Sequence, residues 1–231
     1  MFEFSPAEWD AVRLSLKVGF WSVIVSLPIG FAFAYLLARA TFPGKALVNA
    51  IVHMPLVLPP VVTGFGLLLL FGTQGPGGRF LHDVFGITIA FRWTGAALAA
   101  AVMGLPLMVR AMRLSIDAVD RRLETAASTL GAGRWRTFLT ITLPLSLPGI
   151  VAGAILSFAK SFGEFGATIT FVSNIPGETQ TLPIAIYSLL QSPTGDAPSL
   201  RLAVLSVLVS VGAILGAEAV ERRIARRQDV R

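Results

Sequence analysis

From Val18 to Ala38 the chain carries no charged residue. A helix needs about 20 mainly apolar residues to cross the hydrocarbon core of a bilayer. This stretch alone therefore sets the class of fold, and it is not isolated. Apolar runs occupy Val12 to Leu37, Leu47 to Phe71, Thr94 to Met112, Phe138 to Phe162 and Leu202 to Val220. Backbone polar groups in lipid must be satisfied within the segment, so runs of this length read as helices. The expected fold is an all-α integral membrane protein with about five transmembrane helices. Composition agrees: 54% of the 231 residues are hydrophobic and 14% are charged, against about 25% charged in soluble domains. The length fits a single membrane domain, 1–231.

Two runs are interrupted. The second holds Pro55, Pro59 and Pro60, and the fourth Pro144 and Pro148. Prolines are tolerated as kinks where neighbours satisfy the freed carbonyls. For the second run a broken or re-entrant element is the alternative. A removed leader is not expected, because the first ten residues carry Glu3, Glu8 and Asp10 and no Lys or Arg. There is no cysteine, which excludes disulfides and thiolate metal sites. His53 and His82 have no acid cluster beside them in the sequence, so no metal site is expected.

Lys and Arg in short loops set orientation. One side would hold Arg39 and Lys45, then Arg110, Arg113, Arg121, Arg122, Arg134 and Arg136, then the tail 221–231. The other would hold Arg13, Lys17, Arg79, Arg92, Lys160 and Arg201. The first side is about twice as rich and reads as cytoplasmic, with the N-terminus outside and the C-terminus inside. Arg13 and Lys17 run against the rule and are read as snorkelling at the outer interface. The net charge of +6 does not point to nucleic acid, since the basic residues fall between apolar spans. The tail reads as attracted to anionic lipid headgroups.

The inner loop 113–137 is too long and too polar for a connector. Ile116, Val119, Leu123, Ala127 and Leu130 recur at helical spacing, with Asp120, Arg121, Arg122, Glu124 and Ser128 opposite. Asp117 or Asp120 can cap the start, and Gly131 suits the left-handed position after a helix end. A second helix would begin near Arg134 and Trp135 and run into the fourth span. Such a helix can lie in the headgroups or be presented to a soluble partner's groove. Ala126 and Ala127 permit the close backbone approach of the second case.

The stretch "ETAASTLGAGRWRTFLTITLP", Glu124 to Pro144, resembles the EAA loop of ABC importer permeases. The matching positions are Glu124, Ala126, Ala127, Gly131, Ile141, Leu143 and Pro144. "TFPGKALVNAIVHMPLVLPPVV" and "SFGEFGATITFVSNIPGETQTLP" are similar to the molybdate/tungstate/sulfate branch of these binding-protein-dependent permeases. The resemblance implies a type I ABC importer permease fold with a core at about 11–220 and a coupling loop at about 117–144. It implies a homodimer, two ATP-binding cassette subunits, and a periplasmic molybdate-binding protein as partners, in a bacterial inner membrane. It implies molybdate as substrate, with tungstate or sulfate as alternatives. Glu124, Ala126, Ala127, Leu130, Gly131 and Arg134 would dock the ATP-binding subunit. The chain is not expected to be an enzyme or to bind a cofactor itself: its only Gly–Lys pair, Gly44–Lys45, precedes Ala46, and Arg39 stands where a phosphate-binding loop needs its first glycine. ATP and magnesium would belong to the partner subunit.

For the pathway, the sequence offers Lys160, Glu164, Gly166, Thr168 and Thr170 around the outer end of the fourth span, and Pro60 with Thr63 in the second. Lys160 and Glu164 can line an aqueous path or pair with each other at the interface. A carboxylate repels a dianion, so Glu164 reads better as holding a gate, through Lys160 or a helix end. Residues 175–191 read as a short outer helix, interfacial or receiving the binding protein. Two other classes remain open. An ion-driven secondary transporter would need intramembrane carboxylates, with Glu164 and Glu218 as candidates. An intramembrane enzyme would need a nucleophile–base or metal set, and none is visible.

Overall fold

The computed structural model describes residues 4–193 and 195–229, with side chains near the C-terminus described through Ala219 and at Arg222. The regular structure of the described residues is all helical, without strands. The first helix, α1 (Pro6–Arg39), starts at a capping box. The Ser5 hydroxyl accepts from the Glu8 amide at 3.3 Å, and the Ser5 amide donates to Glu8 Oε2 at 2.6 Å. One face of α1 is a ladder of small buried residues, Ser15, Gly19, Ser22, Ser26, Gly30 and Ala34. Small residues let helices approach closely where lipid gives no hydrophobic drive to associate.

The long helix α5 (Trp93–Ala118) packs on that ladder. Lys17 lies over the Trp93 ring, the Ser26 hydroxyl faces Met108 Sδ at 3.8 Å, and Arg39 donates to the Val119 carbonyl at 3.3 Å. The helices α1 and α5 therefore run parallel. The helix α8 (Leu143–Phe162) runs antiparallel to both, because Ser115 donates to the Ser146 carbonyl while Ser157 sits against Gly104. A Cβ on Gly104 would stand 2.3 Å from Ser157 Oγ, so the absence of a side chain at Gly104 makes room for that hydroxyl at the crossing. The last helix, α11 (Asp196–Asp229), begins beside Glu8 through Arg201 and runs parallel to α1. The bundle thus has a Glu8 end and a Glu124 end, and the termini belong to opposite ends.

Among the described residues four helices are long and apolar enough to span a membrane, beginning at Pro6, Trp93, Arg134 and Asp196. The second expected span takes the broken form, not the continuous kinked one. It divides into α2 (Lys45–Val57) and α3 (Pro60–Phe71), bent by 115°. The cause is local. Consecutive prolines at 59 and 60 remove two amide donors, and the residue before a proline avoids the helical region. Leu58 and Pro59 accordingly have ψ of 144° and 133°. The pair still connects the two ends. Asn49 accepts from Arg113 near the Glu124 end, while Leu67 joins Val18 and Ala96 in the core nearer the Glu8 end.

Between spans the chain forms α4 (Pro76–Phe85), which the sequence reading did not place, then α6 (Arg121–Thr129) and α7 (Arg134–Thr137). A π-turn at Phe138–Thr142 joins α7 to α8. After α8 come α9 (Gly166–Val172) and α10 (Leu182–Leu190). The helix α10 is docked rather than free on the surface: Leu182 and Ile184 are fully buried, and the Leu182 amide donates to Ser15 Oγ at 2.7 Å. The basic tail expected at 221–231 continues α11 on its backbone to Asp229. Apart from Arg222, its side chains lie outside the described residues.

Candidate functional site

At the Glu124 end the long polar loop folds as helix, turn, helix. Asp120 is the cap of α6, accepting from the Arg122 amide at 2.9 Å. Asp117 instead pairs with Arg113 at 3.5 Å. Gly131 has φ of 82°, and the Ala132 amide behind it returns to the Ala127 carbonyl at 3.0 Å. The expected left-handed turn is present, and α7 starts at Arg134 as expected.

The apolar stripe across this loop is not continuous. Ile116 and Val119 are buried with α5, whereas Leu123 and Leu130 are 46% and 88% exposed. Val119, with ψ of 118°, ends α5 and puts α6 out of register with it. What remains is a surface: Ala126, Leu130, Gly131 and Arg134 are exposed, and Ala127 is half-buried. Trp135 projects with them and rests edge-on against Phe138.

Glu124 does not share that face. Its Oε1 meets Arg39 Nη2 at 3.0 Å and accepts from the Thr142 hydroxyl at 2.7 Å. One carboxylate therefore joins α6 to the end of α1 and to the last residue of the π-turn. Arg39, 11% exposed, also donates to the Val119 carbonyl that closes α5. The sequence reading missed Arg39 and Thr142. Eighty-odd residues separate Arg39 from Glu124, and no local periodicity relates them.

The second group lies nearer the Glu8 end. Lys160 donates to Glu164 Oε2 at 2.6 Å, and the Ala167 amide donates to Oε1 at 3.0 Å. Glu164 is 2% exposed, so both of its oxygens are satisfied in a buried setting. It does not continue α8, which ends at Phe162; it opens α9. A carboxylate at this position complements the free amides and dipole of a helix start. The helix α9 in turn lies on α3. Gly166 faces Pro60, and Gly64 faces the Ala167 carbonyl so closely that a Cβ would stand 2.5 Å from it.

The pathway candidates thus converge on the α3–α9 contact, but their hydroxyls are not equivalent. Thr170 donates to the Gly166 carbonyl of its own helix at 2.7 Å, and Thr168 is buried within the chain. Thr63 Oγ1 is buried without a protein partner. His53 is held by the Asn49 carbonyl at 2.9 Å, as an interior histidine would be. No metal-holding group of His, Cys, Asp or Glu occurs among the described residues.

Residues 26–226 match the family described as binding-protein-dependent transport system inner membrane component. The chain belongs to this family. It is 60% identical over 211 residues to the molybdenum transport system permease protein ModB of Escherichia coli strain K12, covering 91% of this chain and 92% of that one. It is 50% identical to the Haemophilus influenzae ModB, over 95% and 96% of the two chains. The sulfate transport system permease protein CysW of Synechococcus elongatus is 36% identical over 87% of this chain and 71% of its own. Among solved structures, the fold matches a bacterial ABC transporter involved in import of the polysaccharide alginate, with TM-score 0.72, 17% identity and coverage of 96% and 81%. It matches the MetNI methionine ABC transporter in an inward-facing conformation with TM-score 0.66, 17% identity and 94% coverage of both chains. The permease is thus a membrane-spanning importer component of the type I fold.

Proposed function

We propose that this permease carries molybdate across the inner membrane as a homodimer, driven by two separate ATP-binding subunits and supplied by a periplasmic molybdate-binding protein. The observation that carries the substrate is the 60% identity with ModB over 91% of the chain. In this reading the Lys- and Arg-rich Glu124 end faces the cytoplasm and the Glu8 end faces out. ATP and magnesium stay on the partner, and the permease itself binds no cofactor. Residues Ala126, Ala127, Leu130, Gly131 and Arg134 offer a surface for that partner, with small side chains for close approach. Glu124 passes the movement of α6 inward, because its carboxylate ties α6 to α1 and to the π-turn that starts α8.

The Lys160–Glu164 pair explains how a carboxylate can stand near a path for a dianion. Its charge is balanced by Lys160, and its remaining oxygen holds α9 in place. The pair then keeps α9 against α3, which suits a gate better than a binding site. Tight binding in the pore would oppose release, so selection falls to the binding protein.

The test is uptake of radiolabelled molybdate into proteoliposomes holding the assembled transporter and its binding protein. Uptake that requires ATP, and that tungstate inhibits more strongly than sulfate, supports the reading. Equal transport of sulfate would move the substrate to the sulfate branch, of which CysW is a relative. Uptake without ATP that collapses with the ion gradient would overturn the mechanism.

A further inference from the structure

Arg13 and Lys17 stand one turn apart near the Glu8 end of α1, on the side where the sequence places few cations. Both are exposed, as is Arg92 beside Trp93, and none of the three meets a carboxylate within ion-pairing distance among the described residues. Lys17 Nζ lies 3.7 Å from the centre of the Trp93 ring. The same Trp93 lines a groove between α1 and α5. The groove encloses about 240 Å³ and is lined by Trp21, Val25, Trp93, Thr94, Ala97 and Ala101 among others. Its α1 wall continues the ridge of the cations at four-residue steps, Arg13, Lys17, Trp21, Val25. From Lys17 to Val25 this ridge descends about 12 Å at 1.5 Å per residue, comparable with one leaflet of a hydrocarbon core about 30 Å thick.

Thr94 lines the groove one residue below the Trp93 ring, but its Oγ1 is fully buried and does not open into it. The accessible lining is therefore almost wholly apolar, with the cations at its upper end.

We propose that the groove is a binding site for an anionic phospholipid. Its phosphate is held by Arg13 and Lys17, and one acyl chain lies along Trp21, Val25, Ala97 and Ala101. A protein occupant would have to bring carboxylates to the membrane boundary to balance these cations, where burying them is costly. A phospholipid carries its phosphate at that level already, and basic residues there attract anionic lipid. The site is independent of the substrate assignment and requires only that the chain be embedded in a bilayer.

The test uses the assembled transporter in phosphatidylcholine nanodiscs, with Trp9 and Trp135 replaced by Phe so that the permease's own emission comes from Trp21 and Trp93; the same assembly with Trp21 and Trp93 also replaced gives the partner subunits' background for subtraction. Phosphatidylglycerol or phosphatidylcholine with brominated acyl chains is then added as a contact quencher. The expected result is half-maximal quenching at a roughly tenfold lower mole fraction of the phosphatidylglycerol. Arg13→Gln with Lys17→Gln should bring the two lipids to within about twofold, whereas Arg13→Lys with Lys17→Arg should keep the preference. Equal quenching by both lipids in the unmutated cation background would mean annular lipid only. Preference that survives removal of both cations would overturn the assignment of the phosphate. No quenching by either would mean that protein, such as a second copy of the chain, covers the groove.

Discussion

Arg39 and Glu124 are joined by an ion pair of 3.0 Å that fastens the helix of the coupling loop to the end of the first span. The same carboxylate oxygen takes the Thr142 hydroxyl at 2.7 Å. Because Arg39 is nearly buried and its Nε already lacks a partner, losing Glu124 would strand a charge. Stranding one partner of a fully buried pair costs about 3–5 kcal/mol; Glu124 is 26% exposed, so about 1–3 kcal/mol is expected here. Glu124→Ala should therefore lower thermal stability in detergent and abolish most uptake. A variant with normal melting and normal uptake would remove the pair from the mechanism.

Gly131 holds the turn between α6 and α7 at φ of 82°, with open space around its Cα. Gly131→Ala meets no neighbour, so its cost is backbone strain alone, about 1–2 kcal/mol. Because the turn is outside the bundle, strain should appear as weaker co-purification of the ATP-binding subunit at nearly unchanged melting temperature. Unchanged co-purification together with full uptake would show that the turn tolerates the change.

Glu164 ties Lys160 to the start of α9. Glu164→Gln keeps an acceptor for the Ala167 amide but loses the charge, and leaves Lys160 without its anion. Uptake should fall several-fold while the ATP-binding subunit still co-purifies. Loss of about 1–3 kcal/mol in stability is expected from a buried charge-assisted hydrogen bond. Restoration of uptake by adding Lys160→Met would identify the pair, rather than either charge alone, as what matters.

Gly64 permits α3 to lie on α9, since a Cβ would stand 2.5 Å from the Ala167 carbonyl and 2.8 Å from its Cα. Backbone atoms cannot step aside as a flexible side chain can. Gly64→Val should cost about 1–3 kcal/mol through overpacking, read as a lower melting temperature. Gly66→Val on the same helix meets nothing within 4 Å and serves as the comparison; equal melting of the two variants would show that the α3–α9 contact is not tight.

Much of this was legible in the chain. The apolar runs and the Gly131 turn follow from spacing within a few residues, where helix geometry relates neighbours directly; the cap was narrowed to Asp117 or Asp120, and Lys160 and Glu164 to a pair or a path, and the structure chose Asp120 and the pair. The break at Pro59 and Pro60 was legible only as an alternative, because a proline in a membrane helix permits either a kink or a break. The stripe from Ile116 to Leu130 failed because two extended residues, Val119 and Asp120, reset helical phase, and periodicity does not report where a helix stops.

The sequence by itself determined that the chain is a helical membrane protein with a helix–turn–helix between its middle and fourth spans. Lipid leaves backbone groups no partner but their own helix, so apolar length dictates that outcome. Only the tertiary structure decided that Glu124 turns inward to Arg39 and Thr142, that Glu164 opens α9, and that α3 rests on α9 through Gly64 and Gly166. These contacts join residues far apart in the chain, and each depends on which helix faces its neighbour. That is fixed by the packing of small residues across the bundle.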